Sequence, residues 1–144
     1  MSLFLSLAFV VLFPAFGMSV QTEPISVDAG QLGSPTNPDQ IGVYELPGNL
    51  LMVAHVDWGG QLRPGFSFRN LELGDQIVVD SQSYHVTDLK EWAVNDQDAW
   101  DWTVASDGDE ITLITCTGQF SVSRHEYLER LSVRAVRDTL DVSQ

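Results

Sequence analysis

Short apolar runs, broken every few residues by Gly, Pro, Asn or Asp, dominate this chain of 144 residues, and apolar positions at helical spacing are scarce. That pattern predicts many strands joined by turns. Val10 to Phe13 is β-branched and aromatic, which favours a buried strand, and Ile25 to Val27 continues this opening strand region. Gly30 to Gln40 (GQLGSPTNPDQ) carries two prolines and reads as a loop. Leu50 to His55 (LLMVAH) reads as a core strand that delivers a polar residue to an edge, and Trp58 to Gly65 as a second loop. Gly74-Asp75 is a turn before the strand Gln76 to Asp80, and Ser81 to Ser83 turns the chain into Tyr84 to Val94. Asn95 to Asp101 is an acidic connection, and Ser106 to Asp109 (SDGD) a strong turn. Glu110 to Cys116 (EITLITC) is the clearest strand, and Arg130 to Val136 (RLSVRAV) alternates as the last. Many short strands with little helix predict an all-β fold, a closed or nearly closed barrel.

Length and composition sharpen this picture. The chain suits one domain with a real core, and 44% apolar against 19% charged residues is globular. Seven Lys and Arg face 20 Asp and Glu, for a net charge of -13. That balance excludes a nucleic-acid partner and charge-driven docking on anionic membrane. Leu3 to Met18 is almost entirely apolar and is similar to a signal sequence or membrane anchor. It falls short of the roughly 20 residues of a spanning helix, and Pro14 and Gly17 interrupt it. The expected division is an apolar extension over 1–9 (a truncated anchor), a single domain over 10–138 and a tail over 139–144.

Charge and length do not name a chemistry; the one cysteine does. Cys116 has no partner for an internal disulfide, and a lone cysteine is either a small buried hydrophobe or a reactive thiol. Acyl transfer through a covalent intermediate needs a nucleophile, a proton carrier and an oxyanion stabiliser. Cys116 and His55 each end a predicted core strand, and Arg130 opens the last one. They would converge on one groove if these strands were neighbours, an order the pattern alone leaves open. Arg124 is a rival cation. His85 and His125 lack the close ligand spacing of a zinc site, and Asp96, Asp98 and Asp101 lack an EF-hand pattern. No metal and no cofactor is expected. Trp92, Trp100 and Trp102 would line a groove or pack in the core.

Several segments resemble one known family. Thr112 to Cys116 (TLITC) looks like the TLxTC active-site motif of sortases, the bacterial transpeptidases that anchor proteins to cell walls. Arg130 to Ala135 resembles the family's Arg-x-x-Val-x-Ala strand, and Leu50 to Asp57 its catalytic histidine strand. Leu71-x-x-Gly74-Asp75 matches the L-x-x-G-D turn, and Phe13 to Gly17 the I-P-x-I-G opening. Pro35 to Tyr44 reads like the segment before the histidine strand. Ala54 departs from the Gly usual before the histidine.

The resemblance implies a sortase-type closed barrel of about eight strands, with short helices or turns in the connections. It implies catalysis by His55, Cys116 and Arg130, with Thr115, Ala54 and Trp58 at the substrate. The implied reaction cleaves an LPxTG-like sorting signal between Thr and Gly through a thioacyl link to Cys116. The acyl group then passes to an amine of peptidoglycan or of a pilin subunit. The motif set is most similar to the single-domain classes E and F. The expected partners are thus a sorting-signal peptide of secreted proteins and an amine acceptor, handled by a monomer on the outer face of the cell membrane. The alternative is a sortase-like barrel that binds peptides without turnover.

Overall fold

The computed structural model describes residues 9–28 and 31–139. Residues 1–8 of the expected extension, 140–144 of the expected tail, Gly30 and the Trp100 side chain lie outside the described residues. In chain order the strands are β1 (Val10–Phe13), β2 (Met18–Pro24), β3 (Val27–Asp28), β4 (Gln31–Leu32), β5 (Ile41–Leu46) and β6 (Asn49–Val53). They continue as β7 (Asp57–Trp58), β8 (Gln61–Leu62), β9 (Gln76–Val79), β10 (Gln82–Ala93), β11 (Glu110–Ser121) and β12 (Glu126–Arg137). One short helix, α1 (Pro64–Phe68), interrupts them after β8.

Eight of these strands close a barrel in the order β1-β2-β5-β6-β11-β12-β10-β9. Closure comes from β1 against β9, where Val11 faces Val79. Two neighbour pairs are parallel, β2 with β5 and β6 with β11. Such pairs need long crossovers, and the proline-rich segment after β2 supplies one. There Pro35 and Ile25 lie on Gly42, where an added Cβ would sit 3.2 Å from the Pro35 ring and closer still to Ile25. The barrel interior is filled by alternate residues of each strand. Phe13, Ile41, Met52, Ile77 and Leu113 are fully buried there, with Phe68 of α1 plugging one end against Phe13 at 5.6 Å between rings.

Local differences from the sequence reading have local causes. Pro14–Phe16 is a single 3-10 turn, and the second strand begins at Met18 rather than Ile25. Its inward positions Val20 and Thr22 alternate with polar Ser19 and Gln21, so it lacks an apolar run. Thr22 is admitted to the core because its hydroxyl donates to the Phe9 carbonyl. The turn before β10 is Asp80-Ser81, with φ of 49° and 69°. Positive φ at both central residues is the two-residue hairpin whose twist suits antiparallel strands. β11 runs on past Cys116 to Ser121, so the cysteine lies inside a strand, and β12 starts four residues before Arg130. Among the described residues no helix is long and apolar enough to cross a membrane.

Candidate active site

Strand pairing carries three of the predicted residues into one row. Ile114 of β11 pairs with Val53 of β6 in parallel register. The ladder continues as the Ala54 N–H donates to the Ile114 carbonyl at 3.1 Å. His55 and Cys116 each lie two residues beyond that last pair, where the β6 ladder has ended, and both line one groove. On the other side Cys116 faces Arg130 of β12, and Arg130 faces Trp92 of β10. Side chains alternate across a strand, so all four point to the outer face while Thr115 and Leu131 point into the barrel. In the antiparallel pairs Cys116–Arg130 and Arg130–Trp92 the Cα atoms lie roughly 5 Å apart, which keeps their side chains neighbours.

This row floors a groove of about 430 Å³, whose outer face also includes Val53, Ile114 and Ser132. Leu32 to Ser34 form one wall and parts of Val94 to Thr103 the other. The lining is largely apolar, and its size is that of a small-ligand pocket. Asn49 secures the second wall: its side-chain N–H groups donate to the carbonyls of Trp102 and Val104 at 3.2 and 2.9 Å. The buried Thr112 hydroxyl in turn donates to Asn49 Oδ1 at 2.8 Å. Trp102 meets Trp92 edge to face, and the Arg134 guanidinium lies over the Trp102 ring at 4.5 Å.

His55 is oriented from two directions. Its Nε2 lies 2.9 Å from the Pro35 carbonyl. A carbonyl only accepts, so Nε2 carries a proton and Nδ1 is the nitrogen free to gain or lose one. Trp58, half exposed, packs edge-on against the imidazole at 4.8 Å between ring centroids. Thr115 is buried, and its hydroxyl donates to the Ala54 carbonyl at 2.8 Å, fastening the histidine strand to the cysteine strand. The Ala54 methyl belongs to the core cluster, so the extra carbon relative to glycine is accommodated inside the barrel.

Cys116 is partly exposed. Burial pushes its thiol up, and the Arg130 and Arg69 guanidiniums pull it back down without cancelling the rise. Asp57 and Glu126 add smaller upward contributions. Two of the chain's seven basic residues thus act on one thiol. Arg130 Nη1 donates to the carbonyls of Tyr127 and Glu129 at 3.0 and 3.1 Å, which holds the guanidinium at the groove. Just beyond Cys116 the β11–β12 register slips between Thr117 and Phe120. Gly118 there has a φ of 77°, and a Cβ on it would collide with the Glu129 carboxylate. A bulge with a left-handed glycine re-aims a strand next to a site.

Other expected participants lie elsewhere. His85 pairs with Asp138, and Arg124 is exposed and paired with Glu126. Sequence reasoning missed Arg69, which donates to the Cys116 carbonyl, and Pro35, the partner of His55. It also missed Tyr127, whose hydroxyl donates to Asp57. Arg69 had one signal, as a rare basic residue set among Phe66, Phe68 and the matched Leu71-x-x-Gly74-Asp75 turn.

Comparison with known proteins adds an independent finding. Residues 15–138 match the family model described as the sortase domain. The fold is similar to that of sortase C from Clostridium perfringens SM101, at TM-score 0.65 and 19% identity over 94% of this chain and 71% of that one. It is similar to a lid mutant of sortase A from Corynebacterium diphtheriae, at 0.66 and 20% over 96% and 74%. A third is sortase C1 from Streptococcus suis, at 0.69 and 17% over 95% and 75%. A sequence comparison with curated proteins found no match.

Proposed function

With the sortase domain spanning nearly all of it, this chain belongs to the sortase family, and we propose that it is a cysteine transpeptidase acting through Cys116, His55 and Arg130 on an LPxTG-like sorting signal. The observation that carries this reading is that His55 shares one largely apolar groove with Cys116, Arg130 and Trp92, the last three paired across adjacent strands. His55 takes the Cys116 thiol proton on Nδ1, and the resulting thiolate attacks the carbonyl of the scissile Thr–Gly bond. The oxyanion that forms is stabilised by the Arg130 guanidinium. Collapse breaks the C–N bond, His55 gives its proton to the departing amine, and the acyl group stays on sulfur. An incoming amine then attacks the thioester, His55 takes its proton, and the thiolate leaves. Burial raises the thiol and the Arg130 and Arg69 guanidiniums oppose that rise, so these cations favour the attacking thiolate.

The apolar lining suits the Leu-Pro half of such a signal, with Ala54, the Thr115 backbone and Trp58 bordering the scissile end. Peptidoglycan or a pilin subunit supplies the amine, and the monomer works outside the cell membrane. The motif set favours the single-domain classes E and F, with the catalytic domain over 10–138. A fluorogenic LPxTG or LAxTG peptide is the test, with Cys116→Ala as control. Cleavage that vanishes in the variant, and a mass adduct at Cys116 with a substrate-mimicking vinyl sulfone, are the expected results. Peptide affinity without Cys116-dependent turnover would replace the enzyme by a binding module.

A further inference from the structure

β11 changes partners at its most important residue. Alternate carbonyls of a strand point to the same edge. The Ile114 carbonyl is satisfied by the Ala54 N–H of the histidine strand. The next carbonyl on that edge belongs to Cys116, and here the histidine strand has ended and turned away. A carbonyl left without a donor at a partly buried site is costly. Arg69, at the end of α1, supplies two donors: its Nε and Nη2 reach the Cys116 carbonyl at 3.2 and 3.1 Å. The guanidinium is itself held between rings, 5.8 Å from the Phe66 centroid and 5.5 Å from that of Tyr127. Tyr127 in turn donates to Asp57, two residues beyond His55.

We propose that Arg69 is the positioning residue of the nucleophile: its two-point grip on the Cys116 carbonyl replaces the missing strand and holds the thiol side chain in the groove. The proposal rests on Cys116 being the nucleophile of the reading above. A planar guanidinium suits this task because one oxygen receives two converging N–H groups in a fixed plane. The contact lies on the backbone, so it fixes where the Cα–Cβ bond aims before any substrate arrives. It also adds a second positive charge to that of Arg130 acting on the thiol.

The test compares Arg69→Gln and Arg69→Lys with the parent, each assayed below its melting transition. Iodoacetamide alkylation of Cys116, followed by mass across pH, reports the thiolate without any sorting peptide. Arg69→Gln is expected to slow alkylation at neutral pH by roughly threefold or more and move its profile to higher pH. Arg69→Lys keeps the charge but brings one donor where the carbonyl receives two, and is expected to fall between Arg69→Gln and the parent. A Gln profile that superimposes on the parent's, or a Lys profile that does so because charge alone suffices, would overturn the proposal. Neither result depends on peptide turnover, so a failed transpeptidase reading leaves its own, different trace in the peptide assay.

Discussion

Replacing Gly65 by Ala sets two physical effects against each other. Gly65 is the second residue of α1 and does not occupy the left-handed region. Helix propensity alone therefore favours alanine by about 1 kcal/mol. Packing says the reverse. The new Cβ would fall on the Thr115 hydroxyl and press on the Ala54 and His55 carbonyl oxygens at 2.7 Å each. None of these is the free end of a flexible side chain. The hydroxyl is fixed by its bond to Ala54, and the His55 carbonyl accepts the Gly65 N–H at 2.9 Å. Overpacking of this kind costs about 1–3 kcal/mol, and losing the Thr115–Ala54 bond adds about 1 kcal/mol. Packing outweighs propensity, leaving a net destabilisation of about 1–3 kcal/mol, or a melting temperature lower by roughly 3–10 °C in a chain of this size. Peptide turnover should fall further than stability, because the atoms displaced are those that place His55 beside Cys116. Thermal unfolding followed by circular dichroism, with turnover measured well below the transition, checks both. Thr115→Ala in the same chain should recover part of the loss by removing the worst contact. A Gly65→Ala protein that melts at or above the parent would refute the reasoning, since propensity would then have won.

Two further outcomes follow from the same geometry. Asn49→Ala strips the buried Thr112 hydroxyl of its acceptor and the Trp102 and Val104 carbonyls of their donors. It is expected to cost about 2–3 kcal/mol in denaturant unfolding and, by loosening the groove wall, to raise KM more than it lowers kcat; an unchanged KM would show that the wall does not depend on Asn49. Tyr84 is buried in the core, and burial, with Asp109 adding to it, pushes its phenol up to about 12 from 10.0. The unfolded chain therefore releases this proton first, so the phenol's stabilising contribution is intact below pH 10 and is lost as pH climbs from 10 through 12. The loss reaches about 2–3 kcal/mol at the upper end. Tyr84→Phe should flatten that alkaline decline in an unfolding series, and an equally steep decline would assign it to other groups.

Much of the site could be read one segment at a time. EITLITC announces a strand, because β-branched alternation acts over a few residues. The TLITC, His55 and Arg130 segments carry their family resemblance within a few residues too. Where sequence reading slipped, the cause was equally local. The second strand hides its inward Val20 and Thr22 between polar residues. Cys116 read as a strand end, whereas Gly118 beyond it forms a bulge and the strand continues. Gly65 offered no sign that three fixed oxygens surround it.

What the sequence by itself determined was therefore the inventory: an acidic, strand-rich chain, one thiol, and the segments that would bear the histidine and the arginine. Tertiary structure alone decided that these segments are neighbours, that Cys116, Arg130 and Trp92 line one groove with His55, and that Pro35 and Arg69 hold two of these residues. The physical reason lies in where the information sits. Strand propensity and alternation belong to adjacent side chains, whereas the choice of which backbone edges pair is made by the whole barrel. The parallel pairing of β6 with β11 joins segments from separate parts of the chain. It is also where that pairing stops, one carbonyl short of covering Cys116, that the structure calls on a residue no motif had marked.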